Sequence, residues 1–307
     1  MNPADFNTTN TPTWCPGCGD FGMWASLKEA LIKLGITPDS ALVVYGIGCH
    51  GHMINFLKIY GFQGLHGRPL PVAAGVRLVN PDLNVFVVSG DGDCYGEGMG
   101  HFIAAARANY NLTLIVHNNQ VYGLTTGQTA PTTDQGTKTK STPLGVIDFP
   151  VNPIALAINC EANFVARGFA GDIPHLADLI VQANQHPGFS LVDVLQPCVT
   201  YDKVHTYPWY RERIYKLEDK SLPALTSRMT GRQGYDPTNF EQAILKAWEW
   251  PPKAGIDTAT VDQIPIGVLF KQNRPTFESQ LPQLDNGPLA GLNLTKTLID
   301  DLIETFK

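Results

Sequence analysis

The sequence contains no apolar run that approaches the length of a membrane span, so a membrane role is not expected. It has no basic excess. Lys and Arg number 22 against 28 Asp and Glu, a net charge of −6, which argues against nucleic acid as the main partner. The opening Met1-Asn2-Pro3-Ala4-Asp5 lacks the basic and apolar regions of a secretory signal, and a cytoplasmic location is the expectation. Structural disulfides are rare there. The six cysteines therefore need another account. No internal repeat and no low-complexity tract interrupts the 307 residues, which leaves room for one large domain or two smaller ones.

Strand-like and helix-like segments alternate. Apolar runs at 41–45, 84–89, 112–116, 163–168 and 189–195 read as strands buried on both faces. Helical patterns fall between them, over 21–34, 71–79, 97–109, 152–159 and 175–185. This pattern predicts an α/β fold, a parallel sheet flanked by helices, over residues 1–204. From 205 to 307 the alternation stops. That stretch is rich in Pro and aromatics, with short helical pieces near 240–249 and 294–305. It reads as an irregular arm packed on the domain and on a partner subunit, or as a small subdomain covering its own sheet.

Two strand ends carry the first chemical signal. Gly90-Asp91-Gly92-Asp93 follows one apolar run, and Asn118-Asn119 follows the next, about 25 residues on. Ligands of parallel sheets bind at the carboxyl ends of strands. A carboxylate, a carboxamide and glycines that let backbone approach a phosphate suit a Mg²⁺ holding a diphosphate. Asp91 supplies charge, Asn119 a neutral oxygen and Val121 a backbone carbonyl. Two ordinary turns would use the same residue types. The pairing, each half after a hydrophobic strand, favours the cofactor and is similar to the diphosphate motif of thiamine-diphosphate (ThDP) enzymes. A loop with His66, Gly67 and Arg68 just before a helix is a further candidate for an anionic ligand.

The cysteines carry the second signal. Cys15 and Cys18 form a CxxC knuckle with Pro and Gly inside, and no strand precedes it as a redox dithiol would require. Cys49 lies in the Gly-rich loop after the first strand, and Cys198 at the end of the last. Cys94 and Cys160 read as packing residues. Four thiolates can hold zinc or a [4Fe–4S] cluster. Zinc modules usually use two compact pairs, whereas here two of the four are single and distant. A redox centre beside ThDP has a purpose, so the cluster is preferred, with zinc or unligated thiols as the alternatives.

The segments CPGCGDFG (15–22), GIGCHGH (46–52), LHGRPLPVAAGVRLVNPDL (65–83), GDGDCYGEGMGHF (90–102) and HNNQVYGLTTGQTAPTT (117–133) together resemble the β subunit of 2-oxoacid:ferredoxin oxidoreductases. The resemblance spans about 12–215 and leans toward the branch that uses 2-oxoglutarate. It implies oxidative, reversible decarboxylation of a 2-oxoacid, with CoA taking the acyl group and ferredoxin the electrons. It implies Mg²⁺ on Asp91, Asn119 and Val121. Ile47, Gly48, Cys49, His50, Gly92, Asp93, Gly123 and Leu124 would line ThDP, with His66 and Gly67 nearby. Cys15, Cys18, Cys49 and Cys198 would hold the cluster. His52 and Leu124 would face the substrate. The family takes the glutamate that activates ThDP from an α subunit, so the site would lie between subunits.

Overall fold

The computed structural model describes residues 1–219, 235–250, 263–284, 287–291 and 303–304. The helix expected near 294–305 lies, but for 303–304, outside them. Among the described residues the chain runs α1 (Asp20–Lys33), β1 (Ala41–Tyr45), β2 (Tyr60–Gln63), α2 (Pro69–Val79), β3 (Asn84–Gly90), α3 (Met99–Ala108) and β4 (Thr113–Asn118). A two-strand hairpin follows, β5 (Val121–Tyr122) with β6 (Gln128–Thr129), then α4 (Pro153–Asn159), β7 (Phe164–Phe169), α5 (Ile173–Gln185) and β8 (Ser190–Leu195). The remainder supplies α6 (Tyr207–Arg213), β9 (Ile214–Lys216), α7 (Phe240–Ala247) and β10 (Ile264–Lys271).

Eight strands form one sheet in the order β2-β1-β3-β4-β8-β7-β10-β9. The pairs from β2 to β7 are parallel, and β10 runs antiparallel to β7. Alternate residues of the strands enter opposite layers. Val43, Val88, Ile115 and Val192 pack with Leu27 and Leu31 of α1 and with Leu176 and Ile180 of α5. Val44, Val87, Val116 and Leu191 pack with α2, α3, α4 and α7 on the other face. Both faces are covered, which is why the strands read as continuous apolar runs.

Besides the short β5–β6 hairpin, three strands of the main sheet escape sequence reading. All four residues of β2 are exposed, so this edge strand carries no apolar run. It is held by register pairing, Val43 opposite Gly61. β9 and β10 lie in the arm, and they extend the main sheet from its β7 edge. β10 is apolar, but a Pro and a Gly interrupt its pattern. The helix after β3 starts at Met99, two residues later than expected, because Gly92–Glu97 forms a wide π-type turn.

Candidate functional site

The connection from β1 goes to β2 on one side, while β3 lies on the other. That reversal opens a crevice at the carboxyl ends of β1 and β3, where parallel sheets place ligands. Gly46–Cys49 leaves β1 here and Asp91–Asp93 leaves β3. The next strands in the sheet, β4 and β8, end in Asn118-Asn119 and in Gln196-Pro197-Cys198.

A narrow cavity of about 70 Å³ fills the crevice. The sequence-predicted Ile47, Gly48, Cys49, His50, His66, Asp91, Gly92, Asp93, Asn119, Val121, Gly123 and Leu124 all line it. Gly67 does not. It stands one layer back, where its N–H donates to Asp93 Oδ1 at 2.7 Å. Its φ of +69° and a Cβ that would fall 2.5 Å from the Glu97 carbonyl carbon reserve this position for glycine.

The two aspartates have different tasks. Asp93 joins three loops. Its Oδ1 accepts from Gly67 N and, at 3.2 Å, from Ile47 N, while Ser89 Oγ donates to Oδ2 at 2.5 Å. His66 Nδ1 stands 2.8 Å from the same carboxylate. Asp91 faces the cavity. Its Oδ2 accepts from Gln120 N at 2.8 Å and from the Thr132 hydroxyl. It is 2% exposed, and burial pushes its carboxyl up to about 7. A buried carboxylate with that tendency is the environment a divalent cation would relieve.

The Asn118-Asn119 pair also divides. Asn118 turns back into the sheet and donates to Asp193 at 3.2 Å. Asn119 lines the cavity, its Oδ1 accepting from Val121 N at 3.1 Å. His50 is held neutral by burial, beside Gly48 and Gly90, where any Cβ would strike its ring.

A second cavity, of about 220 Å³, lies behind the first. Cys15, Cys18, Cys49 and Cys198 line it together, with His52, Gln196 and Asp20. The knuckle is pinned to the β8 exit by Gly19 N donating to the Pro197 carbonyl at 3.1 Å. A Cβ on Gly123 would sit 3.5 Å from Cys49 Sγ and 3.7 Å from Cys198 Sγ, so those two sulfurs flank one point. Among the described residues no three His, Cys, Asp or Glu side chains form a preformed cage for a single ion. Burial, then Asp20, Cys198 and Cys15, push the Cys49 thiol up to about 12. Burial and Asp20 raise Cys18 as well, and burial raises Cys198. Thiols gathered in this way are a donor set whose ionisation a cationic centre would favour. Cys94 and Cys160 stand apart, both packed in the helix layer.

Several residues here lie within the segments that carry the resemblance but are not singled out from the sequence. Thr132 and Thr133 lie in the long stretch after β4 that lacks periodicity. Both are buried, and Thr133 Oγ1 donates to the Gln120 carbonyl at 2.5 Å. Tyr122 lays its ring over Gly92 and donates to the Gly92 carbonyl at 3.2 Å. Asp20 meets His117 Nδ1 at 2.6 Å in the core between the knuckle and β4. Only Thr132 and Thr133 had a textual hint, in the repeated Thr of that segment.

Known proteins share this architecture. A family described as the thiamine pyrophosphate enzyme C-terminal TPP-binding domain matches residues 46–194. Another, described as the C-terminal part of the pyruvate ferredoxin oxidoreductase beta subunit, matches 198–286. The chain is 43% identical to a 2-oxoacid:ferredoxin oxidoreductase subunit beta of Saccharolobus solfataricus, over 90% of this chain and 88% of that one. It is 41% identical to the 2-oxoglutarate oxidoreductase subunit KorB of Mycobacterium tuberculosis, over 64% of this chain and 53% of that one. A solved structure of 2-oxoglutarate:ferredoxin oxidoreductase from Magnetococcus marinus, with 2-oxoglutarate, coenzyme A and succinyl-CoA bound, superposes with a TM-score of 0.84. Its identity is 32%, covering all of this chain and 96% of that one. With the expected fold and with relatives matched over most of their length, this chain belongs to the β subunits of the 2-oxoacid:ferredoxin oxidoreductases.

Proposed function

We propose that this chain, joined to an α subunit, oxidatively decarboxylates 2-oxoglutarate with CoA, giving succinyl-CoA, CO₂ and reduced ferredoxin, reversibly and in the cytoplasm. One observation carries the reading. Cys49, Asn119, Gly123 and Leu124 line both cavities, so the diphosphate pocket and the four-cysteine cavity share a wall. Bound ThDP supplies an electron sink for the loss of CO₂, and an adjacent [4Fe–4S] cluster carries electrons onward one at a time.

The chain's own residues then have separate roles. Asp91, the Asn119 amide oxygen and the Val121 carbonyl hold Mg²⁺ on the diphosphate. Asp93, through Gly67 and Ile47, fixes the loops that frame it. Ile47, Gly48, His50, His66, Gly92, Gly123 and Leu124 shape the cavity. Cys15, Cys18, Cys49 and Cys198 ligate the cluster, and Cys49 belongs to both centres. His52 opens on the cysteine cavity rather than on the diphosphate pocket. From there its imidazole pairs with the distal carboxylate of 2-oxoglutarate, and Leu124 bounds the same space. The activating glutamate comes from the α subunit.

The test is anaerobic co-purification with the α chain. Iron and acid-labile sulfide in equal amounts, bound ThDP, and CoA-dependent ferredoxin reduction faster with 2-oxoglutarate than with pyruvate are expected. Iron-free protein would remove the cluster, and zinc in its place would make the cysteine site structural. Equal rates on both acids would remove the 2-oxoglutarate assignment.

A further inference from the structure

Besides the residues that line both cavities, one buried side chain is hydrogen-bonded to a residue of each proposed centre. Gln196, the first residue after β8, is 1% exposed. Its Nε2 donates to Cys18 Sγ at 3.3 Å, and its Oε1 accepts from Asn119 Nδ2 at 2.9 Å. Its own backbone N–H donates to the Asn118 carbonyl at 2.9 Å, which locks its start to the end of β4. The knuckle leaves room for the side chain. A Cβ on Gly19 would come within 2.6 Å of Gln196 Cγ, so only glycine at 19 lets the glutamine lie between β4 and the cysteines.

The orientation of each amide follows from its neighbours. The Val121 backbone N–H can only donate, so it faces the Asn119 oxygen. The Asn119 NH₂ must then point the other way, and there it meets an acceptor, Gln196 Oε1. This leaves the Gln196 NH₂ aimed at the Cys18 sulfur. Reversing any one amide would set two donors against each other. A polar chain with a single sense thus runs from the Val121 N–H to the sulfur, entirely within this subunit.

We propose that Gln196 is a positioning residue that couples the Mg²⁺–diphosphate site to the redox centre. It holds Asn119 with its oxygen available to the cation, and it places a hydrogen bond on the Cys18 thiolate. The inference rests on the assignment of Asn119 and Cys18 to those two centres. Hydrogen bonds to ligand sulfur raise the potential of such clusters, because they stabilise the more negative reduced form. Occupancy of the diphosphate pocket, by tightening Asn119, would reach the cluster through the same amide.

Two variants of the assembled αβ enzyme separate the contacts. Gln196→Glu is nearly isosteric. It keeps an acceptor for Asn119 but puts a carboxylate oxygen where the sulfur had a donor. Gln196→Met fills the space and makes neither bond. The readouts are ThDP–Mg²⁺ affinity of the cofactor-stripped enzyme by titration calorimetry, and the cluster midpoint potential by EPR-monitored titration. Gln196→Glu is expected to keep the affinity within about threefold of wild type. Its potential should fall by a tenfold change in the one-electron equilibrium, about 59 mV, or more. Gln196→Met is expected to weaken ThDP–Mg²⁺ by about tenfold or more, with a smaller fall in potential. Equal potentials in all three proteins overturn the proposal. So does unchanged ThDP–Mg²⁺ affinity in Gln196→Met, or equal weakening in both variants. A wild-type enzyme without iron or without ThDP binding overturns the underlying reading, and it does so before any variant is made.

Discussion

Replacing Asp91 by Asn should stabilise the cation-free protein while destroying its use of ThDP. Asp91 is 2% exposed and accepts from Gln120 N and from the Thr132 hydroxyl. These bonds favour the carboxylate, but desolvation is the larger effect and lifts its pKa from 3.8 to about 7. The folded state therefore binds more protons than the unfolded state between those values, and stability falls as pH rises through that window. Each pH unit is worth about 1.4 kcal/mol, so the ionised carboxylate costs the cation-free fold about 4 kcal/mol once the pH is above neutral. Asn keeps the shape and an acceptor oxygen but cannot ionise. In EDTA, thermal unfolding of wild type and Asp91→Asn should differ little near pH 4 and diverge by several degrees by pH 8, the variant being the more stable. Adding Mg²⁺ and ThDP at about a hundredfold above Kd should return about 2.7 kcal/mol to wild type and nothing to the variant. Parallel melting curves across the whole pH range would refute the account of Asp91 as a buried carboxylate waiting for a cation.

Three further perturbations follow from the structure, two of them at the site. His52→Ala should raise KM for 2-oxoglutarate about tenfold, the equivalent of about 1.4 kcal/mol, and leave pyruvate nearly unchanged. Equal effects on the two acids would remove the specificity role. Thr132→Val deletes a hydrogen bond to the Asp91 carboxylate, worth about 1.5–3 kcal/mol, and should weaken ThDP–Mg²⁺ at least tenfold in a calorimetric titration. His205 lies between Asp202 at 2.7 Å and Asp134 at 3.2 Å, which together outweigh its burial and raise it from 6.5 to about 9. Its contribution is complete below about pH 6.5 and lost as pH rises through about 9. The stability advantage of wild type over His205→Gln, read from thermal melts, should therefore shrink across that range, by at most about 3 kcal/mol since Asp134 is half-exposed.

The sequence made the inner fold legible because that part of the sheet is covered on both faces. Such strands leave continuous apolar runs between helical patterns, and their carboxyl ends show as clusters of Gly, Asp and Asn. β2 left no trace because none of its residues is buried. β10 is buried, but Pro265 and Gly267 break its run, and the partners that define it, β7 and β9, lie far away in the chain. The lining of the two cavities was legible where a rare residue sits in a Gly-rich loop, as with Cys49 or Asp91. It was silent where the work is done by a common residue whose partner is remote. Gln196 and Cys18 are 178 positions apart, and nothing local to either marks the contact. Thr132 reaches Asp91 only because the β5–β6 hairpin folds the chain back.

Asp93 sharpens the contrast with Asp91. Both belong to one Gly-Asp-Gly-Asp turn, in which the sequence assigns Asp91 to Mg²⁺ and Asp93 to the lining of ThDP. The structure gives Asp93 the buried N–H of Gly67, the half-buried N–H of Ile47 and the Ser89 hydroxyl. Removing the carboxylate would leave the two N–H groups without acceptors, at about 1–3 kcal/mol each. A Gly46 Cβ would lie 1.8 Å from Asp93 Oδ2, so the carboxylate also fills the space against β1. Asp93→Ala should therefore destabilise the cation-free protein by about 2–6 kcal/mol, a large share of the 5–15 kcal/mol that holds a typical domain together. Asp91→Asn should do the opposite under the same conditions. Melting both variants in EDTA at pH 8 decides the matter. Shifts of opposite sign would establish that one aspartate of the turn holds the loops while its neighbour, two residues away, is kept under strain for a ligand. Shifts of the same sign would mean that the turn acts as a single unit and that the division drawn from hydrogen bonding is wrong.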